Sequence, residues 1–303
     1  TLDIENVQIA NELNTQIVQT RNGSIQIISL PWIRKGDFMS QAIYNQLPNE
    51  KFNSAIEEKL IDDLNREIDN LDPSMPSILA SHVSTDLAKT SSEKSMTLGK
   101  DYLLPTEFLA NPKLDYIALG HIHRHQVLND NPPVVYSGSL ERIDFGEEKD
   151  SKGFCSIDIS TDPDKKNRLN SYEFVEVNAR RFKTISTKIK ENDEYPNEKI
   201  LTEIAKHDVK DTIVQVIIEV SSARYKEISD VKIRASLSEA HFIAAVRKNV
   251  IAESKNRLGK ELHESIPAIE ALETYLKERN IDDQKLRLLL EKGQNLISEN
   301  PPQ

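Results

Sequence analysis

Histidine is the side chain that is commonly neutral near pH 7 and, as neutral imidazole, ligates borderline divalent cations. Seven histidines occur in the chain, and three fall in one run, Gly120-His121-Ile122-His123-Arg124-His125. A fourth, His82, closes the apolar segment SILASH. An isolated histidine is ordinarily a satisfied core or surface residue, but three features weigh against that reading here. The run follows the apolar segment LDYIALG, so its histidines sit at the carboxyl end of a strand, where α/β sheets gather ligands. Gly120 allows a sharp backbone turn, and His121 and His123, two apart, share a face of an extended segment. His82 ends a second buried strand, so two strand ends carry imidazoles toward one crevice. His82, His121 and His123 are therefore the candidate metal ligands. His125 reads as a surface or supporting residue, and His207, His241 and His263 read as structural.

The elements that must position these residues follow from periodicity. IENVQIANELN reads as a helix, and TQIVQT and IQIISLPW read as strands joined at Asn22-Gly23, a hairpin signal. Pro31 and Trp32 end the second strand. Residues 51–71 are helical, because Phe52, Ile56, Leu60, Leu64 and Ile68 recur every four residues on one face. A Pro-containing break leads into SILASHV as a buried strand, then a long polar loop over residues 84–101 and a short helix over 105–111. LDYIALG is a second buried strand, VLNDNPPVVYSGS a strand–turn–strand, and GFCSIDIS a further strand. This alternation predicts an α/β, or α+β layered, core over residues 1–160. Residues 172–252 form a second, smaller mixed unit: RRFKTISTKI strand, NEKILTEIAKH helix, DTIVQVIIEVS strand, YKEISDVKIRASLSEA helix and HFIAAVRKNVI strand. Residues 262–300 are a helix pair with apolar stripes at Ile266, Ile269, Leu272 and Leu276, and at Leu286, Leu289, Leu290, Leu296 and Ile297. Two such helices behind a polar linker cannot bury both stripes on themselves, which favours a partner surface.

Composition narrows the classes. A net charge of −10 argues against a protein that coats nucleic acid electrostatically. It leaves room for an enzyme that meets phosphate through bound cations. The single cysteine, Cys155, excludes an internal disulfide and a Cys-rich zinc site. No apolar run approaches membrane-spanning length, and TLDIENVQIA has no signal-peptide pattern, so the expected compartment is the cytoplasm.

The extended pattern is more specific than the histidines alone. LDYIALGHIHRHQ, then PPVVYSGSLERIDFGEE, then KGF, resembles the bacterial SbcD nuclease subunits and their archaeal and eukaryotic counterparts, within the calcineurin-like metallophosphoesterases. Leu30-Pro31-Trp32 and the layout of the C-terminal half fit the same family. The resemblance implies a calcineurin-like β-sandwich core and two divalent cations, manganese or else magnesium. In that reading His82 and His121 hold one cation and His123 the other. Tyr136, Ser137, Gly138 and Ser139 line the crevice, and Arg142 either meets a DNA phosphate or is a solvated surface arginine. Residues 172–252 would be a capping domain beside DNA, with Arg180, Arg181, Lys183, Lys188, Lys190, Arg247 and Lys248 as its basic residues, although ordinary solvated strand edges are the simpler reading of these. The helix pair would dock on the coiled coil of an SbcC-type ATPase, in a heterotetramer built on a homodimer. The implied activity is exonuclease and endonuclease cleavage in DNA repair, recombination and replication.

The chain also departs from the family. The DxH, GDxxD and GNHD or GNHE motifs do not occur, and Gly36-Asp37 runs on into Phe-Met-Ser. The family's acid histidine lies in GNHD, so no catalytic residue is assigned. On this reading the chain lacks roughly the first hundred residues of its parent and is inactive as written. Two other readings share part of the pattern: a different calcineurin-like phosphoesterase acting on a small phosphate ester, and a non-enzymatic adaptor for the ATPase.

Overall fold

Residues 14–30 hold two runs of alternating burial separated by two polar residues, and they pair on themselves. A computed structural model of the chain describes residues 7–34, 36, 38, 48–90, 102–251, 269, 272, 273, 276, 277 and 283–299. In it β1 (Asn14–Thr20) and β2 (Gly23–Leu30) form the expected hairpin, with Thr20 opposite Gly23. The turn is therefore Arg21-Asn22, one residue earlier than the Asn22-Gly23 signal suggests, and Gly23 opens β2. The helix expected before β1 does not form over residues 7–13, and its first residues lie outside those described.

The four-residue repeat gives α1 (Asn49–Asp69), whose Phe52, Ile56, Leu60, Leu64 and Ile68 are each at most 5% exposed. It connects β2 to β3 (Ser77–His82). After the two-residue strands β4 (Ser84–Thr85) and β5 (Leu103–Leu104), which pair in parallel, comes α2 (Thr106–Leu109). Next come β6 (Tyr116–Gly120), β7 (Gln126–Asp130) and β8 (Pro133–Tyr136). The main sheet has the order β1-β2-β3-β6-β8-β7. Its four central strands, β2, β3, β6 and β8, run parallel, and the outer two are antiparallel to their neighbours. The stripe of α1 packs on one face of this sheet, against Ile28, Leu30, Leu79, Ile117, Leu119 and Val134. Shortening any one of these buried side chains to alanine costs about 2–5 kcal/mol.

The other face is covered in part by a ribbon of β9 (Gly153–Ile159) and β10 (Leu169–Glu176), paired antiparallel. Tyr116 on β6 meets Tyr172 on β10 there, at 5.8 Å between ring centroids. Residues 172–176, read from sequence as the start of the second unit, are thus the partner strand of β9. Helix, mixed sheet and ribbon make an α/β architecture in layers, as the alternation predicted.

Backbone contacts divide the chain into two units: residues 1–184 with 209–214 and 239–244, and residues 185–208, 215–238 and 245–303. The second holds most of a three-stranded sheet of order β11-β12-β13, from β11 (Phe182–Ile189), β12 (Ile213–Ser221) and β13 (Phe242–Ile251). Its helices are α3 (Pro196–Ala205) and α4 (Asp230–Ser236). It also contains α5 (Asp283–Glu299). A Cβ placed on Gly293 of α5 would lie 2.3 Å from Leu272 Cδ2 and 3.7 Å from Ile269 Cδ1, so α5 approaches the preceding helical residues closely there. Leu276 is 7% exposed. The two stripes therefore meet one another in part, and Leu288 of α5 stays 53% exposed. The linker and the side chains of Ile266, Leu296 and Ile297 fall outside the described residues. Among the described residues no helix is long and apolar enough to cross a membrane.

Candidate functional site

Parallel strands end together, so whatever follows their carboxyl ends is gathered along one edge of the sheet. Trp32 follows β2, His82 ends β3, His121 follows β6, and Ser137 follows β8. His82 is in register with Gly120 on the neighbouring strand. A Cβ on Gly120 would come within 3.1 Å of His82 Nδ1, so glycine leaves the notch that the imidazole occupies. The sharp turn expected at Gly120 falls one residue later: His121 has φ 96°, in the left-handed region that non-glycine residues seldom adopt. Such strain costs about 1–3 kcal/mol and persists mainly at functional sites. The turn at His121, rather than strand alternation, brings its ring beside that of His82, with centroids 5.3 Å apart. Trp32 lies against both rings, 4.6 Å from His121 at a shallow tilt and 5.6 Å from His82 edge-on. Desolvation of the His82 ring, followed by the fields of His121 and His123, lowers its pKa from the ordinary imidazole value. His82 thus remains neutral at neutral pH, with a lone pair to offer.

His123 stands in a different setting. Its Nδ1 lies 2.8 Å from Glu147 Oε1. Glu147 Oε2 accepts from Lys152 Nζ at 2.7 Å and from the Ile143 amide at 3.2 Å. Lys152 Nζ also donates to the His123 carbonyl and to Ser139 Oγ, each at 3.0 Å. Both charged side chains are fully buried. The Ser139 amide is a second donor to the His123 carbonyl, at 3.1 Å. Gly138 makes that approach possible: its φ is +81°, and a Cβ there would meet the His123 carbonyl oxygen and the His125 amide nitrogen at 2.9 Å.

The remaining candidates occupy supporting places. Tyr136, expected at the crevice, is fully buried, and its hydroxyl donates to the Val83 carbonyl at 2.6 Å, tying β8 to the end of β3. Ser137 is half-buried beside it. The Ser139 hydroxyl donates to the Glu141 carbonyl at 2.7 Å while accepting from Lys152. Arg142, read as either a phosphate contact or a solvated residue, is part-buried. Its guanidinium donates to the carbonyls of Glu147 at 3.2 Å, Arg180 at 3.1 Å and Asp150 at 2.8 Å, and so braces the turn that carries Glu147. His125 packs flat on Phe174 at 4.0 Å, with Nδ1 3.0 Å from the Tyr136 carbonyl oxygen, which fits the supporting role expected of it. Several of the basic residues of the second sequence unit are engaged internally. Arg180 and Arg181 donate to the carbonyls of Asp211 and Lys210, Lys183 pairs with Glu148, and Lys248 pairs with Asp230.

The donor set suits part of a cation's coordination shell: neutral imidazoles side by side, and a third imidazole with a carboxylate behind it. It does not suit a pair of bridged cations by itself. Among the described residues no group of three or more His, Cys, Asp or Glu side chains is arranged to hold a metal ion.

No protein-family model matches the chain. Among the proteins similar to it in part are a nuclease subunit and a DNA-repair protein. The chain is 28% identical over 158 residues to the SbcD component of the SbcCD nuclease of Staphylococcus epidermidis, covering 52% of this chain and 38% of that protein. It is 33% identical over 109 residues to the DNA double-strand break repair protein Mre11 of Methanocaldococcus jannaschii, covering 33% of this chain and 30% of the relative. Over a third to half of its length the chain is thus similar to SbcD- and Mre11-type proteins. Its matched part spans well under half the length of either relative. Within the family frame, sequence reasoning passed over Glu147 and Lys152, which stand in the FGEE and KGF segments as two more surface charges until the fold buries them. Trp32 reads from sequence as a strand terminator and as part of the Leu30-Pro31-Trp32 pattern, and neither reading places its ring against the histidines.

Proposed function

We propose that this chain is part of a divalent-metal-dependent nuclease that hydrolyses phosphodiesters at DNA ends, with His82, His121 and His123 contributing imidazole ligands. The observation that carries the reading is the pair of imidazoles at the ends of adjacent parallel strands, 5.3 Å apart, under a tryptophan and beside a left-handed backbone turn. A divalent cation held there would stabilise charge on the phosphate oxygens and lower the pKa of a bound water. The chain's own contribution is placement. β3 and β6 set the spacing of His82 and His121, Trp32 shields one side of both rings, and the turn braced by Arg142 fixes His123. The cation is manganese or magnesium.

The 303 residues contain no DxH, GDxxD or GNHD motif, so this polypeptide alone lacks the carboxylates and the acid histidine of the family. We therefore infer that it does not cleave DNA unaided. The calcineurin-like arrangement, the capping role of residues 172–252 and the homodimer belong to the same proposal. So does an SbcC-type partner for the C-terminal helices, which is supported by the S. epidermidis relative being one component of a two-part nuclease and by the exposed Leu288.

The test is manganese-dependent cleavage of linear duplex DNA by the full gene product and by the 303-residue chain. The full product cleaves, and its His121→Ala form loses at least a hundredfold in rate. Cleavage by the full product that is indifferent to His121→Ala, or cleavage by the chain alone, contradicts the proposal. Pull-down on an SbcC-type coiled coil, with and without residues beyond about 260, tests the partner: loss on truncation supports it, and no capture of the intact chain opposes it.

A further inference from the structure

Neutral imidazole has two tautomers, and only the nitrogen without the proton offers a lone pair. Which form is present depends on what the other nitrogen meets. His123 Nδ1 meets Glu147 Oε1 at 2.8 Å, and a carboxylate can only accept. Glu147 cannot turn away, because its second oxygen is held by Lys152 Nζ and by the Ile143 amide. Lys152 in turn has three donors, and three acceptors surround it: Glu147 Oε2, the His123 carbonyl and Ser139 Oγ. The group therefore grips His123 twice, at its ring through Glu147 and at its backbone through Lys152. A lysine and a glutamate wholly removed from water are costly to bury, so their convergence on one imidazole calls for a role. The setting of His82 and His121 is of another kind: their rings contact Trp32 and each other.

We propose that Glu147, clamped by Lys152, is the positioning residue of His123: it holds the proton on Nδ1, so that Nε2 on the far edge of the ring carries the lone pair. The consequence for ligation rests on the reading of His123 as a metal ligand. The tautomer itself does not, and it can be measured without metal. A histidine ligand fixed this way is a better donor, and loss of the fixing partner typically lowers metal affinity by about 10- to 100-fold.

The experiment is long-range proton–nitrogen NMR on the metal-free chain labelled with nitrogen-15 histidine, with His123→Gln used to assign the His123 signals. In the neutral ring of the native chain, His123 is expected to carry its proton on Nδ1 and none on Nε2. Glu147→Leu combined with Lys152→Met removes both charges and the acceptor, and His123 should then shift toward the Nε2-protonated form. Glu147→Asp keeps a carboxylate beside Lys152 and should retain more of the native pattern than the Leu/Met variant, which a merely structural role for the pair would not require. A neutral His123 protonated at Nε2 in the native chain overturns the proposal, and so does a native pattern surviving in the Leu/Met variant. Should that variant not fold, the native signals and the Glu147→Asp variant still decide the matter. Manganese binding measured on the same samples separates the two claims. A native chain with the expected tautomer and no affinity for manganese would sink the metal reading and leave the role of Glu147 standing.

Discussion

The two halves of the histidine cluster are built on opposite principles. His123 is gripped from below by a buried, fully hydrogen-bonded Glu147–Lys152 pair and a glycine turn. His82 and His121 stand at strand ends with ring contacts, a solvent-facing tryptophan and a left-handed backbone turn. One half is fixed by polar bonds in a dry interior, where geometry is unforgiving. The other is fixed by backbone register and apolar contact, which set spacing more loosely. The contrast teaches that a candidate ligand site can be half pre-set and half adjustable within one sheet edge, and it predicts that substitutions on the two sides will differ in kind.

The largest effect is expected from breaking the buried pair on one side only. Lys152→Met leaves the Glu147 carboxylate without its counter-charge in the interior, and unfolding in urea should show a loss of about 3–5 kcal/mol. A change below about 1 kcal/mol would mean that the pair is solvated and that the contrast is false. Gly138→Ala comes next. It forces a side chain into the left-handed region and against the His123 and His125 backbone at 2.9 Å, and should cost about 1–3 kcal/mol in the same measurement. On the other side the sign reverses. His121→Gly relieves the backbone at φ 96° and should raise stability by about 1 kcal/mol. A loss of stability would show that the ring contacts of His121 outweigh its strain. The smallest effect belongs to His82→Ala, an exposed position whose removal should change stability by no more than about 0.5 kcal/mol.

The sequence made the scaffold of the loose half readable. The four-residue stripe of α1, the hairpin, and the strands that stop at His82 and Gly120 are local patterns, and local patterns survive into the fold. Gly120 was legible as a special position but not for its reason, since the space it leaves for His82 depends on a cross-strand register. The fixed half was not readable as such. Glu147 and Lys152 are charged residues in polar segments, and charge in sequence reads as surface. Their burial depends on the β8–β9 connection folding back beneath His123 and on Arg142 bracing it, and neither is local. Tyr136 errs in the opposite direction: the family resemblance implies a place at the crevice, whereas β8 lies inside the sheet and buries it. Helix–sheet layering was foreseeable from alternation, while the pairing of β10 with β9 was hidden by the polar turn between them.

The central proposal is that His82 and His121 contribute ligands to one divalent cation and His123 to a second. Trp32 is the only tryptophan in the chain and lies 4.6 Å from the ring of His121, so its fluorescence reports on that place alone. Titration of the purified chain with manganese or cobalt(II) is the most direct measurement. Saturable quenching is expected, abolished by His82→Ala combined with His121→Ala and weakened by His123→Ala. Quenching that never saturates, or that is the same in the native chain and the double variant, would contradict it.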